Sequence, residues 1–178
     1  MNPNTNLVEL DKLIGLFYAE TAELGRFRSL PAEQVSEPSR SLLAHEMHMT
    51  VTVEKFHSSA VQVDVIQEQK LEQSYSREIC LKRVSDGVIV QYGIVRLNFQ
   101  HLDDEVQREI EGKGKPLGRI LIDHDVLRRV QLLSLYAVTP AQQLKSKIGA
   151  NEDTLYGRTA IIYCNNEPAI ELLEIVTV

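Results

Sequence analysis

Two hairpins written in apolar and β-branched residues constrain this chain most. In the first, "YSREICLKRV" (75–84) and "VIVQYGIVRLN" (88–98) flank the turn signal "SDG" (85–87). In the second, "LYGRTAIIYC" (155–164) and "AIELLEIVTV" (169–178) flank "NNEP" (165–168). Strands that return through tight turns pair antiparallel. "AVQVDVIQ" (60–67) alternates Val61, Val63 and Val65 against Gln62, Asp64 and Ile66, and "RRVQLLSLYAV" (128–138) reads as a further strand. Helices intervene. Residues 5–24 place Leu7, Leu10, Leu13, Ile14, Phe17 and Tyr18 at helical spacing. Residues 102–112 open on acids and close on Gly112, residues 140–149 run from Pro140 to Gly149, and a short helix follows Pro38. Residues 26–39, with two prolines, read as a loop, and "GKGKPLGRIL" (112–121) as a loop running into an apolar segment. "MTVTVEKF" (49–56) sends opposing signals: its β-branched residues favour a strand, whereas Thr50 suits a helix cap. The expected fold is α+β, one domain over residues 1–178, with an antiparallel sheet of about six strands and helices on one side.

Strand alternation then raises a question of charge. Ile170, Leu172, Glu174 and Val176 share one face of the last strand; Glu171, Leu173, Ile175 and Thr177 share the other. Neither face is cleanly polar, so a glutamate meets an apolar surface, and a bulge would exchange the two acids. Likewise Arg77 falls with Tyr75, Ile79 and Leu81, Arg96 with Ile94, Val90 and Asn98, and Arg158 with Tyr156, Ala160 and Ile162. Buried charges are costly unless paired. Either these groups pair with one another, or they line a pocket. In a pocket, arginine would take a ligand carboxylate and glutamate a ligand hydroxyl.

Composition narrows the function classes. The net charge of −6 and the lack of a basic run argue against a nucleic-acid partner. No apolar stretch nears the roughly 18 residues of a membrane span. "MNPNTN" has neither the charged nor the apolar part of a signal peptide, so a cytoplasmic location is expected. Cys80 and Cys164 sit in apolar runs without CxxC spacing and read as buried free thiols. His45 and His48, three apart, would share one side of a helix, but no third ligand accompanies them. No metal and no cofactor are expected.

Five stretches carry a resemblance: "HMTVTVEKFH", "YSREICL", "PLGRIL", "LYGR" and "EPAIELLEIV", in that order, between about Leu42 and the C-terminus. Together they resemble the chorismate pyruvate-lyase-like family. The resemblance implies an antiparallel sheet with helices packed on it. It also implies cofactor-independent conversion of chorismate to 4-hydroxybenzoate and pyruvate, a product that in this family feeds quinones or glycolipids. Carried over by residue, it implies that Arg77 binds the ring carboxylate. Glu174 would accept from the hydroxyl that becomes the phenol, as an orienting group or a general base. The backbone of Met49 and of Leu117 would add polar contacts. Glu171 stands close enough to Glu174 to compete for its role. The same fold is similar to effector-binding domains of bacterial transcription regulators, which bind small molecules and catalyse nothing. Fold alone does not choose between the two.

Overall fold

The structure, a computed structural model, describes residues 9–178. Its strands are β1 (Gly25–Leu30), β2 (Val61–Leu71), β3 (Ser74–Arg83), β4 (Ile89–Asn98), β5 (Arg128–Pro140), β6 (Leu155–Cys164) and β7 (Glu167–Val176). They form one seven-stranded sheet in the order β1-β5-β6-β7-β4-β3-β2. Every pairing is antiparallel. The two hairpins read from sequence, β3–β4 and β6–β7, lie side by side and join through β4 and β7. Asn165 and Asn166 both take positive φ, the backbone that a two-residue type I′ turn requires.

The described residues also hold six α-helices: α1 (Leu10–Ile14), α2 (Ser39–Leu43), α3 (Met49–His57), α4 (Asp104–Glu111), α5 (Leu117–Asp123) and α6 (Gln142–Ile148). They cover both faces of the sheet, not one. The four central strands are buried along nearly their whole length, so neither face can be left to water. On one face, Tyr75, Val95 and Leu172 cluster with Ile110 of α4 and Ile120 of α5. Beside them Ile79 and Leu81 cluster with Leu42 of α2 and Val53 of α3. On the other face, Tyr92, Ile94, Leu173 and Ile175 pack with Leu13 and Ile14 of α1 and Leu144 and Ile148 of α6.

Several expectations need correction. The seventh strand is β1, inside the stretch read as a loop. It is a short edge strand, "GRFRSL", paired only with β5, so its sequence carries little alternation. The helix expected over 5–24 is shorter: α1 ends at Ile14 with Gly15 as its C-cap, a 3-10 turn follows at Thr21–Glu23, and residues 5–8 lie outside the described residues. "PLGRIL" is helical from Leu117, with Pro116 as its N-cap. "MTVTVEKF" is also helical. Met49, Thr50 and Val53 bury one face while Val51 and Phe56 stay exposed, and the cap position belongs to His48 rather than Thr50. No helix among the described residues is long and apolar enough to cross a membrane.

Candidate functional site

The face under α2–α5 carries the charged side chains in rows. Arg77 lies opposite Val95, which lies opposite Leu172. Two residues along, Ile79, Gly93, Glu174 and Arg158 form the next row across β3, β4, β7 and β6. Leu81, Gln91 and Val176 form the one after. Successive rows are about 6.7 Å apart. A cavity of about 40 Å³ lies between this floor and the helices, with Arg77, Gln91, Arg158 and Glu174 among its lining residues. Gly93, which lines the cavity, contributes no side chain opposite Glu174.

Arg77 is 1% exposed. Its Nη1 donates to the carbonyl of Ile110 at 3.4 Å, and its Nε has no partner. Among the described residues no carboxylate stands within ion-pair distance of it. Burial is the main influence on this guanidinium and lowers its pKa from the usual value, while neighbouring Tyr75 and Glu68 oppose the shift. Arginine nevertheless stays charged.

Glu174, 6% exposed, is anchored. Arg158 Nε donates to its Oε2 at 2.7 Å, and Gln91 Nε2 donates to its Oε1 at 3.4 Å. The rest of Arg158 is occupied: Nη1 donates to the carbonyls of His45 (2.8 Å) and Leu43 (3.3 Å), and Nη2 to that of Met47 (3.2 Å). Arg158 therefore ties the turn between α2 and α3 to the sheet and holds Glu174 in place.

The cover is built from two helix N-termini. Met49 opens α3 and Leu117 opens α5, and both line the cavity. First-turn N–H groups have no partner inside their own helix. The helices touch at Gly118, where a Cβ would stand 2.8 Å from Thr50 Oγ1, so only glycine permits the approach. An ion pair from Arg119 to Glu54 fastens the same contact. At the edge His48 Nε2 accepts from Arg128 Nε at 2.8 Å. Burial first, then the charges of Arg128 and Arg158, lower the His48 pKa to about 4. At neutral pH this imidazole is an uncharged acceptor.

Arg77, Glu174, Met49 and Leu117 thus share one cavity. Glu171 does not; it points to the opposite face and pairs with Arg96. Arg96 is likewise absent from the cavity, because the Ile94 row it follows packs beneath α1 and α6. His45 and His48 lie in the turn between α2 and α3, not together on a helix face. Cys80 and Cys164 are buried free thiols, and burial pushes Cys164 up to about 11 and Cys80 up to about 12.

Two residues escaped the sequence reading. Gln91 is the one polar residue in "VIVQYGIV", which was its only signal. Glu78, which strand alternation puts on the face opposite Arg77, is fully buried there beneath α1 and α6. Its carboxylate accepts from Tyr18, Tyr92 (2.6 Å), Gln67 (2.7 Å) and Lys147 (2.8 Å), which locks α6 and the segment after α1 to the sheet.

No family model matches this chain. A protein of Methanocaldococcus jannaschii named as a putative lyase is 23% identical over 168 residues, which covers 92% of this chain and 88% of that protein. Among solved structures, PhnF from Mycobacterium smegmatis superposes with a TM-score of 0.55 at 13% identity, over 73% of this chain and 63% of PhnF. The chain thus spans less than two thirds of PhnF. The ligand-binding domain of a putative GntR-family transcriptional regulator from Bordetella bronchiseptica gives a TM-score of 0.51 at 11% identity, over 66% of this chain and 86% of that domain. What is shared is the fold. An antiparallel sheet with helices packed on it serves, in these neighbours, proteins of very different sequence.

Proposed function

We propose that the cavity binds an aromatic acid and that the protein acts as a chorismate pyruvate-lyase, releasing pyruvate from chorismate and leaving 4-hydroxybenzoate. Arg77 carries this reading. A buried guanidinium without an anion is costly, and a ligand carboxylate in a two-bond fork would offset that cost. The five sequence stretches that resemble the lyase family support the reading by their convergence. "HMTVTVEKFH" and "PLGRIL" supply the cover; "YSREICL", "LYGR" and "EPAIELLEIV" supply the floor. The distant similarity to a protein named as a putative lyase points the same way.

The chemistry asks little of the side chains. The ether bond at ring C3 breaks and enolpyruvate leaves with the bonding electrons. Ring C4 loses its hydrogen as a proton, the C4 hydroxyl stays as the phenol, and the enol takes up a proton to become pyruvate. Aromaticity makes the step downhill. Arg77 would hold the ring carboxylate, with the free N–H groups of Met49 and Leu117 beside it. Glu174 would accept from the C4 hydroxyl and is fixed for that task by Arg158. An apolar cavity of about 150 Å³ is known to take benzene, and this one measures about 40 Å³. Ligand entry therefore requires α3 and α5 to part, and product release should be slow.

A second reading has its own support: the fold is also that of a GntR-family ligand-binding domain. In that case the acid would bind without turnover. Incubation of the purified protein with chorismate, without added metal or cofactor, separates the two. 4-Hydroxybenzoate and pyruvate in equal amounts are expected. Intact chorismate beside tight binding of 4-hydroxybenzoate would transfer the conclusion to the binding domain. Neither product nor binding would refute both readings.

A further inference from the structure

Gln91 is 3% exposed, lines the cavity and belongs to the row beyond Glu174. Its amide orientation is fixed by its neighbour. Nε2 faces the Glu174 carboxylate at 3.4 Å, and the reverse orientation would set oxygen against oxygen. That leaves Gln91 Oε1 buried without a partner. The row neighbours of Gln91 are Leu81 and Val176, which bring no side-chain donor. A buried acceptor left unmet is costly, and few persist in native proteins without a reason.

The cavity has a donor at the Arg77 end and unequal acceptors further along. Arg77 offers donors only, one of them, Nε, without a partner. Glu174 and Gln91 Oε1 offer acceptors, one and two rows further along the strands, the second about 13 Å from Arg77 measured along the backbone. We infer that Gln91 is a specificity-determining residue, and that with Glu174 it selects aromatic acids bearing a hydrogen-bond donor opposite the carboxylate. This rests on the aromatic-acid reading and adds to it the chemistry of the far end. A ring with a donorless substituent there leaves Gln91 Oε1 unmet and takes from Glu174 the shared hydroxyl proton, and such sites discriminate strongly.

The test is the dissociation constant of 4-hydroxybenzoate and of 4-fluorobenzoate, similar in size but with no proton to give. Wild type should prefer the hydroxy acid, and Gln91→Met should cut that preference by about tenfold. Gln91→Leu serves if the Met variant does not fold. A crystal structure of the wild-type complex needs no variant, and it should place the ligand hydroxyl within hydrogen-bond reach of Gln91 Oε1. An unchanged preference in a folded variant, or a hydroxyl turned away from Gln91, overturns the inference while leaving the aromatic-acid reading intact. Failure of wild type to bind either acid overturns both.

Discussion

Arg158 donates to Glu174 at 2.7 Å, while Arg77, on the same face of the sheet, has no carboxylate within ion-pair distance among the described residues. Arg158 is paired within the protein, whereas Arg77 Nε has no partner. The difference should appear in stability. Removing one member of a buried pair strands the other, so Arg158→Met should lower the unfolding free energy by about 3–5 kcal/mol. Arg77→Met removes an uncompensated buried charge and should leave stability unchanged or raise it. Urea denaturation of both variants decides the matter, and a comparable loss in Arg77→Met would mean that its role is structural.

Glu174→Gln keeps the shape of the side chain and an acceptor for Arg158. Under the lyase reading turnover should fall by about 100-fold or more while 4-hydroxybenzoate still binds. Steady-state kinetics beside equilibrium binding would show it. Turnover at the wild-type rate would remove Glu174 from the chemistry.

Gly118→Ala sets a methyl group 2.8 Å from Thr50 Oγ1 and wedges α5 away from α3. The cost should be about 1–3 kcal/mol, and product should leave faster through the loosened cover. The double variant with Thr50→Ala should recover most of the stability, because the clash partner has gone. Thermal melts and a stopped-flow release experiment provide the readouts.

Stability should also fall in mild acid. The folded-state pKa of His48 is about 4, against an ordinary 6.5, so the unfolded chain takes the proton first. Its contribution is present above pH 6.5 and is lost as the pH falls toward 4. His45 and His57 are shifted the same way, chiefly by burial, and add to the slope. His48→Gln keeps an acceptor for Arg128 but cannot titrate. Its melting temperature should therefore drop less than that of wild type between pH 7.5 and pH 5. Equal drops would show that His48 does not titrate as its surroundings dictate.

Much of the fold was legible because its signals are local. The turns "SDG" and "NNEP" and the β-branched runs beside them define both central hairpins, and Glu174 stood out as a carboxylate within an apolar run. What stayed hidden depends on the third dimension. β1 has no pattern of its own and exists through its pairing with β5. Glu78 gave no sign of its burial, because alternation assigns a residue to a face but does not say what covers that face. Structural pairing was a fair reading for Arg158 and Arg96, and a pocket was a fair reading for Arg77. Sequence could not divide the arginines between them, since the division depends on which strands lie next to one another.

The central claim is that Arg77 is buried and unpaired because a ligand carboxylate completes it. The most direct measurement is calorimetric titration of 4-hydroxybenzoate into wild type and into Arg77→Met. The account predicts one site in the wild type and binding weaker by about 100-fold or more in the variant. Equal affinity in the two proteins would contradict it.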